Sequence, residues 1–196
     1  MRIFLIFFSF LFTGFSFAQK SYKDSIASYF KKYVKEHEVV AGKDKEFMSF
    51  FPVNEKYRMT CRFERTMNST WFRMGSSGPI KRNYRVYGVI HFTIHDTAVT
   101  LNIYQSQDLL TSKEYKEHLF IPFTDATSGE ETYESGRYID LEIKDIVNDN
   151  VLIDFNKAYN PYCAYVSGKY NCPIPPNENR LIVAIRAGEK SFGKHH

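Results

Sequence analysis

The run Tyr84-Arg85-Val86-Tyr87-Gly88-Val89-Ile90-His91-Phe92-Thr93-Ile94, closed by His95-Asp96-Thr97 and followed by Val99–Tyr104, decides the fold class. In an extended chain its even-numbered positions, from Tyr84 through Ile90 to Ile94, share one face, because side chains alternate across a strand. The turn residues then fold the second run back on the first as an antiparallel hairpin. The same period of two recurs on either side. Tyr57–Arg65 and Thr70–Met74 precede the hairpin; His118–Phe123, Arg137–Val147, Val151–Asn156 and Leu181–Ala187 follow it. About eight strands with short turns predict a mainly β fold, an antiparallel sandwich or barrel.

One further hairpin can be registered. Asn148-Asp149-Asn150 suits a turn, which places Val147 opposite Val151, Ile143 opposite Phe155, and Lys144 across from Asp154 as a cross-strand ion pair. Ile139, Leu141 and Ile143 then share the core face with Val151, Ile153 and Phe155.

The N-terminal part reads differently. Arg2, the apolar run Ile3–Phe12 and small residues at Ser16 and Ala18 make Met1–Ala18 a secretory signal peptide, cleaved before Gln19. The run falls short of the ~20 apolar residues that a membrane-spanning helix needs. Ser21–His37 follows as a helix, with Ile26, Tyr29, Phe30, Tyr33 and Val34 on one side and Lys31, Lys32, Lys35 and Glu36 on the other. The predicted organisation is a signal peptide at 1–18, a helix and linker at 19–45, and one β-rich domain at 46–196, with the helix packed on the sheet.

Composition narrows the partners. The chain has 26 basic and 22 acidic residues. The leader takes only Arg2, so the exported domain is about +3, too mild for a nucleic-acid binder, which carries a strong basic patch. Membrane contact is expected only through the cleaved leader, and oligomeric state is not legible. Export favours oxidised thiols. Cys163 and Cys172 flank a short loop containing Gly168, which suits a local disulfide. Cys61 alternates with Met59 and Phe63, the pattern of an inert core thiol. No cysteine or histidine spacing fits a metal site, so no metal or other cofactor is expected.

Three polar segments depart from strand chemistry: Thr124–Tyr138, Asp154–Tyr165, and Cys172–Asn179 with Ala187-Gly188-Glu189-Lys190. The first offers carboxylates and hydroxyls suited to a hard cation or a sugar, or to capping its own backbone amides. Arg137 could take an anionic ligand or pair internally with Asp125 or Glu189. Tyr159, Tyr162, Tyr165 and Tyr170, near Asn160 and the cysteine pair, could form a platform on which a sugar stacks, or simply stiffen two long loops.

These same words carry a resemblance. Thr127/Gly129/Thr132-Tyr133/Gly136-Arg137-Tyr138, Asp154-Phe155-Asn156 with Ala158-Tyr159-Asn160-Pro161, Cys172-Pro173 with Pro175-Pro176, Glu178-Asn179 and Ala187-Gly188-Glu189-Lys190 occur in this order. From about Phe47 to Lys190 the chain resembles the shorter form of the bacterial and archaeal family known as domain of unknown function 1684. The resemblance implies a domain boundary and shared motifs, and no reaction.

Templates for known catalysis are missing. Gly75-Ser76-Ser77-Gly78 lacks the spacing of a nucleophile elbow. His91 and His95 stand ~13 Å apart along a strand and cannot share a metal. The leading expectation is an exported module that binds a small molecule or carbohydrate, with Asp125, Tyr133, Arg137, Asn156 and Asn160 around one pocket. The alternatives are a hydrolase using Asp125, Glu131 or Glu189 as acid or base, and a purely structural role for these residues.

Overall fold

The computed structural model describes residues 11–194. The first ten positions of the expected signal peptide, Met1–Ala18, lie outside the described residues. Helix α1, Leu11–Glu36, is followed by a 3-10 turn at Gly42–Phe47, by strands up to Asp154, and then by loops with short 3-10 turns. No described helix is long and apolar enough to cross a membrane. The α1 face expected to pack does so. Ile26 is fully buried, and Phe30 stacks on Phe50 at 4.1 Å between ring centroids, while Lys31, Lys32, Lys35 and Glu36 are exposed. Beyond Glu36 the chain turns at His37, whose ring Nδ1 accepts the Val40 N–H at 2.9 Å.

Eight strands form one antiparallel sheet curled into a half-barrel. They are β1 Arg58–Arg65, β2 Phe72–Arg73, β3 Asn83–Ile94, β4 Thr97–Ser106, β5 His118–Phe123, β6 Arg137–Glu142, β7 Ile146–Val147 and β8 Asn150–Asp154. The order across the sheet is β6-β5-β4-β3-β1-β8-β7, with β2 added beside β3. Of the two expected architectures, the barrel type is found. The concave face holds the main core, in which Cys61, Ile90, Leu101, Ile121, Ile153 and Phe155 have no exposed surface. Full burial of each large aliphatic side chain contributes about 1.5–3 kcal/mol. Burial also pushes the Cys61 thiol up to about 12, which keeps it protonated and unreactive.

The deciding hairpin forms with one correction. Val86 pairs with Tyr104, but Gly88 pairs with Ile103, so Tyr87 is an extra residue in β3. Such a bulge reverses which face a given parity occupies. Ile90, Phe92 and Ile94 therefore enter the main core, whereas Tyr84 and Val86 face outward and join Met74, Tyr104, Phe120 and Tyr138 in a second cluster. The expected single face is two faces.

Two other expectations are corrected. The β7–β8 turn has two residues, Asn148 and Asp149, both at positive φ (50° and 55°), and pairs Val147 with Asn150. A 3-10 turn at Ile143–Asp145 takes up the residues expected to extend β6. Asp154 consequently pairs across the sheet with Arg58 instead of Lys144, and its carboxylate accepts the Tyr22 hydroxyl of α1 at 2.9 Å. Leu181–Ala187 joins no strand ladder, although Leu181, Ile185 and Ala187 are buried in the main core.

Candidate functional site

Backbone hydrogen bonds hold only the start of Leu181–Ala187, from the Leu181 N–H to the Thr124 carbonyl and from the Ala126 N–H to the Val183 carbonyl, and a side chain holds the rest. Arg137 opens β6 opposite Phe123 and has no exposed surface. Its Nη1 donates to the carbonyls of Ala187 and Glu189 (the latter at 3.1 Å), and its Nη2 to the carbonyl of Ile185 at 2.8 Å. Alternate carbonyls of an extended chain point to one side, so a single guanidinium fork satisfies three of them where a neighbouring strand is missing. The Asp125 carboxylate completes the arrangement. It accepts Arg137 Nη2 at 2.8 Å, the Ile185 N–H at 3.2 Å and both donors of Thr127, at 2.8 and 2.6 Å. Burial pulls the Arg137 guanidinium down, and Asp125 counters it. Only Nε of Arg137 has no hydrogen-bond partner; the guanidinium lies over the Phe123 ring at 5.3 Å.

The asparagines act in a similar way. Asn156 pairs its amide with the backbone of Asn54, accepting from N–H at 3.0 Å and donating to C=O at 2.9 Å. Asn179 does the same with Asn102 of β4 and also donates to the Pro122 carbonyl of β5 at 2.8 Å. It fills a place where β4 and β5 share only the Tyr104–Phe120 pairing. Asn160 donates to the Lys190 carbonyl at 2.8 Å, and its Oδ1 has no partner. Each buried amide stands in for a peptide unit.

Glu189 is also internal. Its carboxylate accepts the Tyr165 hydroxyl at 2.6 Å, the Asn160 N–H at 2.9 Å and the Tyr33 hydroxyl of α1 at 3.2 Å. Burial pushes its carboxyl up to about 7 against those donors and the Arg137 charge. Gly188, at φ +76°, makes this approach possible, since a Cβ there would meet the Ala158 carbonyl oxygen at 2.5 Å. Glu131 lies apart, half-buried, with its Oε1 held by Arg186 Nε and Nη2 at 2.8 Å each. Tyr133 is half-buried and closes the turn to Gly136 through its carbonyl.

The structure therefore brings Asp125 and Arg137 into one centre, with Asn160 near Glu189 and Asn156 in a third place against Asn54 and Tyr22. A cleft elsewhere on the protein is lined by none of the five expected binding residues.

That cleft, about 790 Å³, lies between α1 and the loop closed by the Cys163–Cys172 disulfide. Six tyrosines converge on it: Tyr29 and Tyr33 from α1, Tyr138 from β6, Tyr159 and Tyr162 from the segment leading into the disulfide loop, and Tyr170 from the loop itself. Burial pushes the Tyr29 and Tyr162 hydroxyls up to about 12, and the Tyr162 proton is already given to Glu38. The cleft lining carries three cations, Lys32, Arg82 and Lys169, and three anions, Glu36, Glu38 and Asp140, of which some are paired. Arg82 pairs with Asp108 at 2.5 Å, Lys32 with Glu36 at 3.9 Å, and Glu38 accepts the Tyr162 hydroxyl at 3.0 Å. Asp140 accepts from Tyr159 at 2.8 Å and His118 at 3.1 Å. The loop tyrosines were legible in sequence; Tyr29 and Tyr33 read only as helix packing, and Asp140 carried no signal beyond its place in a strand.

A mainly β half-barrel with one N-terminal helix, then, presents a tyrosine cleft above a buried polar lattice. The chain belongs to the family of proteins of unknown function DUF1684, whose model matches residues 45–190. Its fold is similar to that of an uncharacterised protein from Haloarcula marismortui solved in solution by NMR. That likeness has a TM-score of 0.67 and 24% identity, and covers 91% of this chain and 98% of that one. No curated protein matches the chain.

Proposed function

We propose that the protein is an exported carbohydrate-binding module whose site is the tyrosine cleft. The observation that carries this reading is the convergence of six tyrosines with Asp140 on one open cleft whose lining holds equal numbers of cationic and anionic side chains. Aromatic faces offer apolar contact to a sugar ring, while hydroxyls and carboxylates take its hydroxyl groups. A lining with no net charge suits a neutral ligand better than an ionic one. The size falls in the range of small-molecule sites.

In this reading Asp125, Arg137, Asn156 and Asn160 act on the ligand indirectly, by fixing the loops that carry Tyr159, Tyr162 and Tyr170. The commitment of Asp125 and Glu189 to internal donors favours binding over acid–base catalysis at those carboxylates. Export rests on the leader-like N-terminus, and the disulfide suits an oxidising compartment.

The test is a titration of ¹⁵N-labelled protein with oligosaccharides, followed by amide shifts. Shifts should centre on 29–37, 138–140 and 159–173. Saturable binding mapped to another face, or none across neutral glucans, xylans and chitin oligomers, contradicts the reading.

A further inference from the structure

A second cavity, of about 550 Å³, shares Tyr29, Asp140 and Tyr159 with the tyrosine cleft. Its position follows from the topology. The sheet does not close, and β6 and β8 leave free edges at Ile139–Leu141 and Leu152–Asp154. Both edges line this cavity, with the middle of α1, from Tyr22 to Tyr29, as its third wall. Along α1 the lining residues run in helical order. Tyr22, Ser25, Ile26 and Tyr29 serve the second cavity; Tyr29, Lys32, Tyr33, Glu36 and His37 serve the first. The two spaces therefore lie end to end along one helix face, over ~22 Å at 1.5 Å per residue from Tyr22 to His37.

The junction has the chemistry of a subsite. Asp140 lines both cavities and is about half exposed (49%). With one donor on each oxygen, Tyr159 and His118, its carboxylate keeps lone pairs for further hydroxyl groups. Tyr29, also shared, carries Lys157 near its ring at 5.6 Å. The second cavity is polar at its far end as well, where Asp154 and Arg58 meet Tyr22.

Resting on the carbohydrate reading above, we propose that the two cavities form one trough for a linear oligosaccharide, seated on the tyrosine cleft and continuing past Asp140 into the seam of the half-barrel. Each cavity alone has the volume that encloses a drug-sized ligand. A trough of both has room for several linked rings, and a single sugar would occupy only one end.

Chain-length dependence tests this on the intact protein, with β-1,4-glucan, xylan and chitin oligomers of two to six units measured by calorimetry. In the series that binds, affinity should rise at least about tenfold from the dimer to the pentamer. Ser25→Trp places a bulky ring in the second cavity from an exposed helix position. It should remove that gain and leave dimer affinity unchanged. Leu152→Trp, from the facing strand edge, should do the same. Affinity independent of length, or equal weakening of dimer and pentamer by both variants, overturns the trough while leaving the cleft as a binding site. Failure of every oligomer to bind overturns both.

Discussion

The Arg137 centre and the tyrosine cleft are built from the same C-terminal words, yet they handle polar groups in opposite ways. Around Arg137 nearly every donor and acceptor is closed on another part of the chain, with Arg137, Asn160 and Glu189 at most 1% exposed. In the cleft the Asp140 carboxylate and every ring but the buried Tyr138 keep exposed surface, although Tyr33, Tyr138, Tyr159 and Tyr162 give their hydroxyl protons to other parts of the chain. Charge and amide chemistry here serves shape; aromatic chemistry serves the surface. The most chemically suggestive residues of a sequence can be the ones that replace missing strands.

The largest expected effect breaks the first half of that contrast. Arg137→Ala strands Asp125 and three carbonyls in the core, and should cost about 3–5 kcal/mol in urea unfolding. Arg137→Lys should rescue little, because an ammonium cannot reach three carbonyls and a carboxylate at once. A loss below about 1 kcal/mol would mean that the lattice does not hold the C-terminal segment.

Next comes the pH dependence of Glu189. Its carboxyl is raised from an ordinary 4.5 to about 7, so the fold favours the protonated form. The associated stability is fully present below pH 4.5 and is lost as pH rises through about 7, by about 3 kcal/mol at most. The informative quantity is wild type minus Glu189→Gln, measured from pH 4.5 to 8.5, which cancels the contribution of every other group. That difference should fall with pH; a flat difference would show that burial does not perturb this carboxyl.

The disulfide sharpens the comparison, since it braces the cleft wall. Replacing Cys163 and Cys172 with Ser should cost about 2–3 kcal/mol by chain entropy. Tyr22→Phe removes the hydroxyl that α1 gives to Asp154, at about 1 kcal/mol. Smallest is Tyr170→Ala at the cleft, expected within about 0.5 kcal/mol of wild-type stability. Binding, in contrast, should be strongly weakened.

Most of the fold was legible because strand periodicity is local. His118–Phe123 is seen with the bounds read from sequence, and the remaining strands of the deciding hairpin differ by a residue or two. The misses have physical causes. A bulge at Tyr87 leaves no mark in an alternating run, so the two faces of β3 were merged. Leu181–Ala187 has strand composition, but its first residues bond only to Thr124 and Ala126 and the rest to a guanidinium 48 or more positions away. For the site, the words were visible and their direction was not. Sequence shows that Arg137, Asp125 and Asn160 are polar and clustered, but burial depends on three distant segments closing over them. The cleft was half legible, through Tyr159, Tyr162 and Tyr170; its other wall comes from α1, more than 120 residues earlier.

The central claim is that the lattice holds shape and the cleft does the work. It is tested most directly by the Tyr162→Ala/Tyr170→Ala double variant, with melting temperature and oligosaccharide affinity measured on the same sample. The account predicts an almost unchanged melting temperature with affinity reduced at least about tenfold. Unchanged affinity in that folded variant would contradict it.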